Sequence, residues 1–152
     1  MSTPVDLKRE SVIVSSVGGV QLAVEIRNHR LVLDQPKEEG GEDRGVTPVE
    51  MFVASLGGCI GYFAVRFCQR HKIQTDGLKV TMEWDYAEGL HRVGAMIAYV
   101  DLPAPLDSAM KHRLQMVLEG CTIHQSLADP PKVSVVINET SKTRQMENQG
   151  GT

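Results

Sequence analysis

Between Val20 and Arg27 the side chains alternate one by one, with Val20, Leu22, Val24 and Ile26 set against Gln21, Ala23, Glu25 and Arg27. A period of two is that of a strand with one buried face. Upstream, Val12 to Ser16 runs into Gly18-Gly19, a hairpin signal. Asn28-His29 reads as a further turn before a strand at Leu31 to Leu33. From Asp34 to Gly45 the chain is polar and locally acidic, with Pro36, Gly40 and Gly41, and is expected to form a mobile flap or a dimer-edge loop.

At Thr47 the pattern changes. Thr47-Pro48-Val49-Glu50 combines a cap, a proline suited to the first helical turn and an acid that completes a capping box. From Met51 to Phe67 apolar residues fall on nearly every side, which predicts a helix buried all round and ending at Thr75 to Gly77. Gly57, Gly58 and Gly61 each weaken that helix by up to ~1 kcal/mol relative to alanine, so close backbone packing is the expected compensation.

Alternation returns at Val80, Met82, Trp84 and Tyr86. Gly89 marks a turn, and Ala95, Ile97 and Tyr99 carry the returning strand. Pro103, Pro105 and Asp107 introduce a second helix with Met110, Leu114, Val117, Leu118 and Cys121 on one face, and a short helix from Thr122 to Leu127 follows. After Pro130-Pro131, Val133, Val135 and Ile137 predict a last strand, and the polar stretch 139–152 reads as a tail. The order implies an α+β fold in one domain over 1–138, with antiparallel strands wrapped around long buried central helices. A chain of this size rarely encloses so apolar a helix, so a homodimer sharing those helices is expected.

Composition narrows the partners. A net charge of -3 speaks against nucleic acid or an anionic membrane surface. The apolar segment is bounded by Glu50 and by Arg66, Arg70, His71 and Lys72, too short an uncharged stretch for a membrane span. The opening MSTPVDLKRE shows no secretory h-region, and three cysteines are too few for a disulfide scaffold, so a reducing cytoplasm is expected.

Those cysteines carry the candidate chemistry. Cys59 and Cys68 lie nine positions apart on one predicted helix, ~13.5 Å along its axis and on opposite sides. They cannot pair, which leaves Cys121 as the possible intrachain partner of Cys59. Two such thiols suit peroxide reduction, in which one forms a sulfenic acid and the other condenses with it. Free cysteines are also common as small core hydrophobes, and the residues alone leave both readings open. Zinc at Cys68-x-x-His71 with Cys121-x-x-His124 is a weaker alternative, and no metal or cofactor is expected.

GVTPVEMFVASLGGC (Gly45 to Cys59) followed by CTIHQSLADPPKVSVVI (Cys121 to Ile137) resembles the OsmC/Ohr family of thiol-dependent peroxidases. The resemblance covers roughly Val12 to Ile137. It implies intertwined dimers with active sites at the subunit interface. It also implies reduction of organic hydroperoxides by a peroxidatic Cys59 and a resolving Cys121, with turnover by dithiols such as lipoylated proteins. The chain departs from the family pattern in two places: Val49 follows the helix-start proline, with the acid one position later at Glu50, and Val20 stands where an early arginine is usual. Arg30 and Arg44 are the available substitutes, Arg44 the better placed. The expected site is therefore Cys59, Cys121, Glu50 and Arg44, with Phe52, Leu56, Tyr62 and Phe63 lining it for an alkyl chain. The alternative is a non-peroxidatic protein that binds a small apolar or electrophilic ligand in the same interfacial pocket.

Overall fold

Three short strands open the chain, which this computed structural model describes over residues 10–139. β1 (Ile13–Gly18), β2 (Gln21–Ile26) and β3 (His29–Leu33) form an antiparallel sheet in that order. The first hairpin turns after Gly18, where Gly19 takes a left-handed φ of 54 that suits a residue without Cβ. The second turns one residue earlier than the sequence suggests. Ile26 pairs with His29, and Arg27 itself adopts the left-handed conformation (φ 56). Ala23 and Val24 are both buried, although alternation predicted a single buried face. Ala23 is small enough to be screened by its cross-strand neighbours Ser15 and Val32.

The connector from Asp34 onward is held down and is not the free flap its composition suggests. It contains a 3-10 turn at Lys37–Glu39 and returns to pair Val46 with Leu33.

α1 (Pro48–Arg70) starts at the expected capping box. The Glu50 main-chain N–H donates to Thr47 Oγ1 at 3.2 Å, and the Thr47 N–H donates to the Glu50 carboxylate at 2.7 Å. The helix stops at Arg70, well before Gly77. Lys72 takes a left-handed φ of 57, its N–H reaches Gln69 O, and the Ile73 N–H reaches Cys68 O at 2.8 Å. This is a Schellman closure built on a lysine, sealed by Ile73 packing against Phe67 and Cys68.

Burial of α1 is one-sided in the single chain. Val53, Leu56, Ile60, Ala64, Phe67 and Cys68 are buried, while Phe52 is 39 % and Tyr62 60 % exposed. Contrary to the expectation from its flanking charges, α1 is long and apolar enough to cross a membrane, but it packs against a hairpin and two further helices, as a core helix does.

That hairpin is β4 (Lys79–Tyr86) and β5 (Val93–Asp101), paired antiparallel. Val80 lies opposite Val100, Met82 opposite Ala98 and Trp84 opposite Met96. Met96, Ala98 and Val100 therefore face α1, whereas Ile97 and Tyr99 of the expected set are exposed. A shift of one residue exchanges the faces of a strand, and pairing with β4 makes that choice. Gly57 lets β4 approach, since a Cβ there would stand 2.7 Å from Met82 Cγ.

α2 (Ser108–Glu119) is capped by Asp107, whose carboxylate accepts the Met110 N–H at 2.8 Å. α3 (Thr122–Ala128) follows directly. Leu114 closes one apolar cluster with Phe67 and Cys68, and a second gathers around Leu56, Ile60 and Cys121. Val117, expected on the inner face of α2, is exposed. The expected last strand does not form. Val133, Val135 and Ile137 pair with no strand among the described residues, and Ile137 is 86 % exposed. An extended segment counts as a strand only when another edge takes its backbone hydrogen bonds. The stretch expected as a tail lies, apart from Glu139, outside the described residues.

Candidate active site

Cys59 occupies the middle of α1, where its buried side meets its open side, and is itself half-buried. It packs beside Cys121 in the cluster that also holds Leu56, Ile60, Phe63 and Ile123. Cys121 is fully buried and caps α3, its Sγ accepting the His124 N–H at 3.4 Å. Both thiols are free. Burial pushes the Cys121 thiol above its ordinary value. The His124 and Ile123 main-chain N–H groups pull the other way, while the adjacent Cys59 thiol adds to the rise. At neutral pH Cys121 is thus a protonated thiol in contact with a more accessible one. Chemically, such a pair can take an oxidant at the open sulfur and close a disulfide to the buried one.

The remaining expected residues divide. Leu56 and Phe63 adjoin the thiol pair. Phe52 and Tyr62 lie on the open side of α1, seven residues before Cys59 and three after it. At ~100° per residue this places both within about 60° of Cys59 around the helix. They border its approach, although within one chain they do not enclose it. Tyr62 meets Phe63 edge-to-face, with ring centroids 5.5 Å apart.

Glu50 is not brought to Cys59 within the chain. Glu50 is exposed, its carboxylate is engaged by the Thr47 N–H, and nine residues of helix put it ~13.5 Å away on the opposite side. There it edges a groove of about 520 Å³ that Gly57, Gly58, Gly61, Met82 and Trp84 also line and Cys59 does not. The Arg44 side chain is exposed, and its main-chain N–H is bound to Asp34.

Cys68 sits in the other apolar cluster, where burial raises its thiol pKa. The two halves of the zinc alternative therefore lie apart. His71 stacks on Phe67 and hydrogen-bonds Phe67 O at 2.9 Å. Among the described residues no group of three or more His, Cys, Asp or Glu is placed to hold a metal.

Sequence reasoning passed over Ile123 and Asp34. Ile123 packs against the thiol cluster, and its position two residues after Cys121 in the first turn of a short helix was the available signal. Asp34 is the one buried charged residue among those described. Its signal was an acid directly after the apolar run Leu31 to Leu33, at the start of a glycine-containing loop.

The OsmC-like protein family matches residues 40–136. None of the curated protein sequences matches the chain. Among solved structures, an osmotic stress induced and detoxification response protein from Psychrobacter arcticus 273-4 superposes with a TM-score of 0.71 at 16% identity, covering 78% of this chain and 88% of its own. An OsmC like protein from Mycoplasma pneumoniae gives 0.65 at 14% identity over 80% and 88%. An organic hydroperoxide resistance protein OsmC from Legionella pneumophila gives 0.54 at 22% identity over 77% and 88%. At these identities the superpositions speak for the fold. The family match spans most of the chain, including Cys59, Cys121 and the hairpin between them, and the chain is accordingly a member of the OsmC-like protein family.

Proposed function

We propose that this chain is a thiol-dependent, two-cysteine peroxidase that reduces organic hydroperoxides. The observation that carries the reading is the Cys59–Cys121 contact, one thiol half-open and the other buried and protonated. The Cys59 thiolate attacks the distal oxygen of ROOH. The O–O bond breaks, the alkoxide leaves as ROH after protonation, and Cys59 becomes a sulfenic acid. The Cys121 thiol then condenses with it, forming the disulfide and releasing water. A dithiol, such as a lipoylated protein in a reducing cytoplasm, returns both cysteines to thiols and is itself oxidised. The apolar border of Leu56, Phe63, Phe52 and Tyr62 favours an alkyl hydroperoxide over hydrogen peroxide. The hydroperoxide resistance named for the Legionella structure agrees with that substrate class.

The working unit in this reading is a homodimer. The open stripe of α1 and the unpaired Val133 to Ile137 segment are apolar surfaces that a second copy would cover. A second copy is also the route by which Glu50 and Arg44 reach a Cys59 thiolate. The test is intact mass under non-reducing conditions, before and after an equimolar amount of cumene hydroperoxide, with a peptide map. Loss of two hydrogens, mapped to Cys59 and Cys121, supports the reading. An unchanged mass removes it.

The distance of Glu50 from Cys59 within one chain favours a second reading, a non-peroxidatic binder of a small apolar or electrophilic ligand. Rapid alkylation of Cys59 by iodoacetamide at about pH 6 excludes it.

A further inference from the structure

The connector between β3 and α1 is folded around a carboxylate. Asp34 is 2 % exposed in a stretch that is otherwise mostly open to solvent. Its Oδ1 accepts the Gln35 N–H at 2.8 Å. Its Oδ2 accepts the Arg44 N–H at 3.1 Å, the Glu42 N–H at 3.2 Å and the Gln21 side-chain amide at 3.4 Å. The donors come from β2 and from both limbs of the loop, so one side chain ties three stretches of chain together. The Asp34 N–H itself reaches Val46 O at 3.2 Å, next to the cap of α1.

The path leaves no room for alternatives at two glycines. A Cβ at Gly41 would run into Gln35 O and stand 2.8 Å from Asp34 Oδ1, and one at Gly45 would run into Val32 O. Glu38, Glu39, Glu42 and Asp43 share this loop, so simple charge balance would not place a further acid at its centre. Four converging donors explain it, because an ionised carboxylate is an acceptor with room for all of them.

We infer that Asp34 is a positioning residue for the thiol site: its carboxylate fixes the 34–46 connector and, through the main-chain bond to Arg44, sets where that guanidinium can reach. The inference rests on the peroxidase reading, in which Arg44 is the cation beside the Cys59 thiolate. Asparagine at position 34 keeps the shape and the Oδ1 acceptor but turns Oδ2 into a donor that faces three donors. The loop then loosens while the helices and the β4–β5 hairpin, which hold Cys59 and Cys121, are untouched.

The experiment compares the parent full-length chain with Asp34→Asn, Arg44→Ala and the double variant. It reads amide exchange at Glu42 and Arg44, and the alkylation rate of Cys59 at about pH 6 by peptide map. Asp34→Asn is expected to speed exchange of both amides roughly tenfold or more, the ratio that goes with losing a hydrogen bond to a charged group. It is also expected to slow Cys59 alkylation, while the double variant is no slower than Arg44→Ala alone. Equal slowing in the Arg44→Ala background overturns the inference, since Asp34 would then act by some route other than Arg44. An unchanged Cys59 rate despite a loosened loop overturns it as well. If Arg44→Ala itself leaves the Cys59 rate unchanged, the assignment of Arg44 fails first and takes the inference with it. Should Asp34→Asn not fold, Gln21→Ala removes a single donor from Oδ2. It is expected to give a smaller change in the same two readouts, and no change in Arg44 amide exchange counts against the inference.

Discussion

Closing the Cys59–Cys121 disulfide should stabilise the protein substantially, because the reduced structure already holds both sulfurs together. The perturbation is oxidation by cumene hydroperoxide, against a sample kept reduced with dithiothreitol. The two positions enclose a loop of roughly sixty residues, for which the loss of unfolded-chain entropy corresponds to about 4 kcal/mol. Two native-state terms subtract from this. Cys121 Sγ caps α3 through the His124 N–H, and weakening that cap costs at most ~1 kcal/mol. Strain should be small, since Cys59 on α1 and Cys121 at the start of α3 are packed side by side before any bond forms. The net expectation is about 3 to 4 kcal/mol, or roughly 10 °C in Tm for a chain of this length. Urea melts at one fixed protein concentration measure it, because a dimer's midpoint shifts with concentration. The oxidised form should also show a smaller m-value, its unfolded chain being cross-linked. A sample whose disulfide maps to Cys59–Cys121 but melts at or below the reduced midpoint would refute the claim that the thiols are pre-arranged.

Replacing Gly57 with alanine sets a gain of up to ~1 kcal/mol in helix propensity against overpacking of ~1 to 3 kcal/mol at Met82 Cγ. The net expectation is a lower urea midpoint, and a raised one would show that β4 can retreat from α1. Thr47→Ala removes one arm of the capping box and should cost about 1 kcal/mol in the same assay, with the folded content unchanged by circular dichroism. Cys68 and Cys121 both have thiol pKa values raised above the ordinary 9.0 by burial. Their contribution to stability is therefore complete below that value and is lost as pH rises beyond it through the higher folded-state pKa, because the unfolded thiols release their protons first. Cys68→Ala should flatten this alkaline decline in urea melts taken above about pH 9, and an unaltered pH slope would count against Cys68 staying protonated when folded.

Much of this follows from residues acting on their near neighbours in sequence. Thr47, Pro48 and Glu50 start α1 wherever the rest of the chain goes, since a capping box needs only the four residues of a single turn. Helical rise alone separates Cys59 from Cys68 and from Glu50, so Cys121 stood out as the candidate partner before any tertiary contact was known. The tertiary structure decided matters that depend on what a segment meets. It set the inward face of β5 as Met96, Ala98 and Val100, because apolar residues occupy both faces of that strand and only the pairing with β4 chooses between them. It ended α1 at Arg70 through a lysine in a glycine-like conformation, made affordable by Ile73 packing under the turn. Among the described residues it left Val133 to Ile137 unpaired, since an apolar alternation says that a strand is wanted but not which edge supplies its hydrogen bonds. It also placed a buried aspartate at the centre of an acidic loop, because four donors separated by up to 23 residues converge there only once β2, β3 and the connector have assembled.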